Sequence, residues 1–144
     1  MIRVLIVDAD FYRDLAAEMV RGAMAELDAR GISYDRVSVP GALEIPTAIS
    51  IASKRIDGPA YDGYVALGCV IRGETSHYDV VCGESARGLT ELALMRDLAI
   101  GNGILTVDNS DQAWVRAGVH GKNKGRDAVV ACLSLVDLKV RYRV

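Results

Sequence analysis

Apolar residues along this chain fall into two spacings that take turns. Short runs rich in β-branched residues, Arg3 to Val7 (RVLIV) and the later part of Tyr61 to Ile71 (YDGYVALGCVI), read as strands. The second run is apolar on both faces, as a central parallel strand requires. Between them the period becomes helical. Leu15, Met19, Ala23 and Leu27 form one stripe within Tyr12 to Arg30, and Gly31 ends it. Ser33 to Val39 alternates and stops at Pro40-Gly41, which predicts a strand delivering a turn. Glu44 to Lys54 resumes helical spacing through Ile45, Ala48, Ile49 and Ala52, with Pro46 in the first turn, where a missing N–H is tolerated.

After a Gly58-Pro59 break and the long strand, a helix is expected from about Tyr78 to Leu98. Its apolar positions are Val81, Leu89, Leu92, Leu94 and Met95, and Gly83 and Gly88 are weak points. Ile104 to Val107 reads as the fourth strand. Asn109 or Ser110 can cap a helix through Ala113 to Ala117, and the loop GVHGKNKG leads to a last helix from Arg126 to about Lys139. Strand and helix thus alternate four times. The economical architecture is a doubly wound α/β sandwich with right-handed crossovers, helices on both faces and ligands beyond the carboxyl ends of the strands.

Composition narrows the picture without changing it. At 144 residues the chain is long enough for one core and too short for two, so residues 1–144 are expected to form one domain. A hydrophobic share of 51% with 25% charged residues fits a soluble globular protein. A net charge of -2 offers no global attraction for nucleic acid or anionic membrane. No apolar run approaches a membrane span, and MIRVLIVDAD meets an acid too early for a signal peptide, so the cytoplasm is expected. Cys69, Cys82 and Cys132 form no CxxC pair; they read as small apolar fillers, with no metal site expected.

Chemistry concentrates in LGCVIRGETSHYDV, Leu67 to Val80. An apolar strand breaks at Gly73 and restarts as a helix with Thr75 and Ser76 as candidate caps, which leaves backbone N–H groups free for an anion. His77 stands at the mouth of that turn, where an imidazole can move protons near neutral pH. Glu74 suits an anion site only if its backbone N–H faces the ligand. Arg116 and Lys124, in QAWVRAG and GKNKG, are ordinary solvated cations by themselves, yet their glycine-rich setting lets a backbone come close to a phosphate. VPGALEIP is adequately explained as a strand-helix turn, but its two prolines imply a rigid one that can present backbone groups and Glu44 to hydroxyls. Phe11, the only phenylalanine, reads as a partly exposed stacking platform for a planar ligand.

Taken together, DFYRDL, VPGALEIP, ALGCVIRGETSHYDVV, GNGILTVDNSDQAWVRAG and NKG make the chain resemble the 6,7-dimethyl-8-ribityllumazine synthases of riboflavin biosynthesis along essentially its whole length. The resemblance implies a flavodoxin-like sandwich with a four-stranded parallel sheet flanked by helices on both faces. It implies a cofactor-free condensation of 5-amino-6-(D-ribitylamino)uracil with 3,4-dihydroxy-2-butanone 4-phosphate that releases water and phosphate. By the same resemblance Phe11 stacks on the pyrimidine, Ala42, Leu43 and Glu44 bind the ribityl chain, and Cys69, Val70 and Ile71 line the pyrimidine site. Glu74 and Thr75 form the phosphate pair, Arg116 binds the phosphate, His77 transfers protons, and Lys124 is a basic residue of the NKG loop.

Three positions depart from the pattern that many members show. Leu43 stands for a phenylalanine, Asn102 for an aromatic that completes the pocket from a neighbouring subunit, and Tyr12 for an asparagine. Less aromatic surface predicts a weaker hold on the planar ring. The family forms pentamers, some assembled into sixty-subunit shells, with each site between adjacent subunits; with so little chain before the first strand, a free pentamer is expected here. Two rivals are weighed. One is a non-catalytic flavin- or lumazine-binding homologue, supported by Leu43 and Asn102. The other is a phosphoreceiver domain suggested by RVLIVDADF, which would need an aspartate at the end of the third strand, where the chain has Cys69 to Arg72.

Overall fold

The computed structural model describes all residues, 1–144. In chain order the elements are β1 (Arg3–Ala9), α1 (Arg13–Ala29), β2 (Ser33–Val39), a 3₁₀ turn (Ala42–Glu44), α2 (Ile45–Ala52) and β3 (Gly63–Ile71). They continue with α3 (His77–Arg96), β4 (Ile100–Val107), α4 (Ser110–Ala117) and α5 (Lys124–Tyr142). The four strands form one parallel sheet in the order β2-β1-β3-β4. This is the α/β sandwich that the alternation predicts.

Two apolar clusters sandwich the sheet. On one face Leu15, Met19, Ala23 and Leu27 of α1 pack with α4 and α5 against Val4, Ile6, Val65 and Leu67. On the other, Ile45 and Ile49 of α2 and Leu89 of α3 cover Leu5, Val7, Tyr64 and Ala66. Successive strand residues face opposite sides, so the central strands β1 and β3 are apolar at nearly every position, while the edge strand β2 is not.

The structure corrects several boundaries. β1 runs two residues past Val7 because Asp8, fully buried, is neutralised there: Arg36 donates to both carboxylate oxygens at 2.9 and 3.1 Å and the Ser38 hydroxyl donates at 3.0 Å. β4 begins at Ile100 rather than Ile104. Its Gly101 is no turn residue; a Cβ there would run into the Ala128 carbonyl oxygen of α5, so the glycine lets helix and sheet approach. In α3, Leu94 and Met95 are 75% and 76% exposed, because the side facing the sheet is carried by Ser85 and Leu89. The last helix starts at Lys124, since Asn123 in the left-handed region (φ 47°) accepts from the Arg126 N–H.

Candidate active site

Beyond β1 the chain goes to β2 on one side and later to β3 on the other. The carboxyl ends of β1 and β3 therefore flank the crevice where an open α/β sheet receives ligands. A cleft of about 370 Å³ opens there. Phe11 forms one wall, 73% exposed, with its ring edge-on to Tyr12 at 4.9 Å between centroids and 85° between planes. Tyr12 is half-buried, and burial raises its phenol pKa. Ala42, Leu43 and Glu44 form a second wall on the 3₁₀ turn, held by the Glu44 N–H donating to the Gly41 carbonyl at 3.1 Å. Cys69, Val70 and Ile71 at the end of β3 make the floor, where burial pushes the Cys69 thiol up to about 11.

The third wall is the turn into α3. Gly73, Thr75 and His77 line the cleft. The N–H groups of Gly73, Glu74, Thr75 and Ser76 donate to no protein acceptor, so the unpaired donors expected from the sequence are present. Of the two candidate caps Ser76 makes no capping bond; instead the Thr75 hydroxyl oxygen accepts from the His77 N–H at 3.3 Å. Ser76 already has helical dihedrals, which point its side chain away from the capping position.

Arg72 braces this turn. It pairs with Asp108 at the end of β4 at 3.0 Å and with Asp79 in the first turn of α3 at 3.9 Å, and its guanidinium lies over the Tyr78 ring at 4.3 Å. Sequence reasoning missed Tyr78 and Val81 as lining residues. The aromatic directly after His77 at a helix start was the available signal.

Four of the residues expected in the site lie outside this cleft. Glu74 is exposed and outside the cleft lining, so only its backbone N–H belongs to the turn's donor set. Asn102, Arg116 and Lys124 share a second depression of about 310 Å³, against β4, α4 and α5, and no residue lines both. In it Arg116 donates to the Gln112 carbonyl at 3.0 Å, Lys124 pairs with Asp127 at 3.5 Å, and Asn102 accepts from the Ile104 N–H at 3.0 Å. The cleft lies at the carboxyl ends of β1 and β3 with the turn into α3, and the depression lies along the edge strand β4 against α4 and α5.

No group of three or more His, Cys, Asp or Glu side chains is placed to hold a metal ion, and no helix is long and apolar enough to cross a membrane. Asp8, the acid suggestive of a phosphoreceiver, is sealed in its ion pair with Arg36. The family model for 6,7-dimethyl-8-ribityllumazine synthase matches residues 1–140. Similar proteins include the 6,7-dimethyl-8-ribityllumazine synthase of Afipia carboxidovorans, 53% identical over 139 residues that cover 95% of this chain and 85% of that protein. The 6,7-dimethyl-8-ribityllumazine synthase 1 of Rhizobium meliloti is 54% identical over 142 residues, 97% of this chain and 93% of that one. The enzyme of the same name from Azorhizobium caulinodans is 55% identical over 142 residues, 96% and 87% of the two chains.

Proposed function

Since the chain belongs to the 6,7-dimethyl-8-ribityllumazine synthase family and condenses 5-amino-6-(D-ribitylamino)uracil with 3,4-dihydroxy-2-butanone 4-phosphate in riboflavin biosynthesis, we propose that its cleft is one half of the active site and its second depression the other half, contributed to a neighbouring copy. The observation that carries this reading is the separation itself. The aromatic wall, the donor turn and His77 lie in one concavity, and the basic residues that would complete a phosphate site lie in another.

In this reading the pyrimidine stacks on Phe11 over Cys69, Val70 and Ile71, and the ribityl hydroxyls meet Ala42, Leu43 and Glu44. The phosphate sits against the free N–H groups from Gly73 to Ser76 and the Thr75 hydroxyl, and is closed from the other side by Arg116 and Lys124 of the adjacent chain, with Asn102 bordering the ring. The substrate amine attacks the ketone carbonyl and water leaves to give an imine; phosphate is then eliminated, the resulting enol becomes a ketone, and the second nitrogen attacks that carbonyl and expels a second water as the ring closes. His77 relays protons in these steps. Both substrates already carry the reactivity, so orientation is the protein's main contribution. The residues 1–144 act as one such domain, the assembly is a ring, most economically the family's pentamer, and the place of work is the cytoplasm.

Subunit complementation tests the divided site. Chains carrying Phe11→Ser with His77→Ala lack one half, and chains carrying Arg116→Ala with Lys124→Ala lack the other. Co-expressed in equal amounts, they should rebuild about one intact interface in four. Formation of fluorescent lumazine at limiting butanone phosphate should then approach a quarter of the wild-type rate. Activity no greater than the sum of the two parents would place both halves in one chain and overturn the assignment.

A further inference from the structure

The loop between α4 and α5 carries Arg116 at its start and Lys124 at its end, and most of its internal bonds tie it to itself: Lys122 N–H to the Val115 carbonyl at 2.9 Å and Asn123 N–H to the Gly118 carbonyl at 3.1 Å. Its attachment to the body of the protein is a single stripe of α1. Glu18 Oε2 accepts from the Val119 N–H at 3.0 Å, across a sequence separation of 101, and no backbone group serves that N–H. One turn on, Gly22 leaves room for the Asn123 side chain, since a Cβ there would meet its Oδ1. Gly125 lies against the Met19 carbonyl oxygen with the same lack of room, and Glu26 pairs with Arg126 at 3.3 Å. Positions 18, 22 and 26 of α1 recur every helical turn, so one face of the helix is a track for this loop.

We propose that Glu18 is a positioning residue for the phosphate half of the site: by holding the Val119 N–H it fixes the placement of Arg116 and Lys124 relative to the neighbouring chain's donor turn. This rests on the reading of Arg116 and Lys124 given above. The Glu18 side chain is only 20% exposed; Arg21 donates to its Oε1 at 3.0 Å and to its Oε2 at 3.2 Å, and these bonds together with that from Val119 keep its pKa below the usual range. A charged acceptor on a backbone N–H is among the stronger hydrogen bonds, and small displacements of a substrate-holding group cost rate or affinity steeply.

Four variants separate positioning from general stabilisation. Glu18→Ala should raise KM for the butanone phosphate about three- to tenfold, with kcat within about twofold and KM for the uracil unchanged. Glu18→Gln keeps an acceptor and should restore most of the loss. Glu18→Asp, one methylene shorter, keeps the charge near Arg21 and withdraws the acceptor; it should behave as the alanine variant does and carries the test if that one is insoluble. Arg21→Ala breaks the ion pair, leaves the Val119 bond, and should leave KM unchanged. If Lys124→Ala raises this KM while Glu18→Ala and Glu18→Asp do not, positioning by Glu18 is refuted and the reading of the depression stands. If Lys124→Ala leaves KM unchanged, the inference falls together with that reading. An Arg21→Ala effect as large as that of Glu18→Ala would equally refute it.

Discussion

Arg36→Ala is the substitution whose cost the structure states most clearly. The change removes both guanidinium bonds, at 2.9 and 3.1 Å, from a carboxylate with no exposed surface, and leaves Asp8 with one hydroxyl donor, Ser38, at 3.0 Å. Stranding one partner of a fully buried pair costs about 3–5 kcal/mol. Here the Arg36 side chain is itself 38% exposed, so water can enter the space it vacates and solvate the carboxylate in part. About 2 kcal/mol is therefore expected, which for a chain of this length lowers Tm by roughly 5–8 °C. Thermal unfolding at one fixed protein concentration reads this, since association shifts apparent stability. The double variant Asp8→Asn with Arg36→Ala should lose less than the sum of the two single changes, because the charge that needed the arginine is gone. A loss under about 0.5 kcal/mol, the size of a surface pair, would refute the view that the buried acid depends on Arg36. The pair also matters to the site: Asp8 and Ser38 join β1 to β2 beside the bond from the Asp10 N–H to the Val39 carbonyl, just where the chain enters the turn that presents Ala42 to Glu44.

Three further outcomes follow from the cleft. Tyr12→Asn removes the edge-on contact that steadies Phe11 and should raise KM for the uracil about two- to tenfold with little change for the butanone phosphate; equal values for both proteins would dismiss the contact. His77→Ala should lower kcat yet leave measurable turnover, because orientation carries most of the rate; an unchanged kcat removes His77 from proton transfer. Iodoacetamide should label Cys69 slowly at pH 8, with a rate that climbs toward about 11 and is suppressed by bound riboflavin; a midpoint at the ordinary thiol value would contradict the burial. The folded chain keeps the Cys69 proton longer than the unfolded one, so this stabilisation is complete below the ordinary thiol range and is lost as pH rises through about 11. Buried Cys132, pushed up to about 12, acts in the same direction.

What could be read from the sequence was whatever is encoded locally. The α1 stripe and the alternation of β2 are short-range patterns, and their cores and bounds agree with the structure to within a residue. Asp8 could not be read as strand because its neutralising partner is 28 residues away on another strand. Likewise, Ile100-Gly-Asn-Gly looks like turn chemistry until α5 is known to press its Ala128 carbonyl onto Gly101. In the site, strand ends alone predicted that Phe11, the Ala42 to Glu44 turn, Cys69 and His77 would converge, because a parallel sheet aligns those ends. That Arg116 and Lys124 act across a subunit interface from Phe11 and His77 came from the family resemblance alone; no local pattern carries it, because their separation from the cleft depends on how α4 and α5 pack along β4.

That placement bears on how such an enzyme loses activity. The cleft lies at the carboxyl ends of β1 and β3 and the depression along β4 against α4 and α5, with no lining residue in common, so under the proposed assembly each copy offers a different surface to each of its two neighbours, and a closed ring has as many complete sites as chains. Separating the copies does not damage both substrates' contacts equally. Phe11, the Ala42 to Glu44 turn and the β3 floor stay together on one chain, and so do the free N–H groups from Gly73 to Ser76, whereas Arg116 and Lys124 depart with the neighbour. The planar ring keeps its platform while the phosphate loses its cations. Weakening the interface should therefore be felt first as a poorer hold on the butanone phosphate. Leu94 and Met95 fit the same logic: α3 carries apolar residues on a side that its own sheet does not cover, as a helix does when it packs against its own core with one face and a second copy with another.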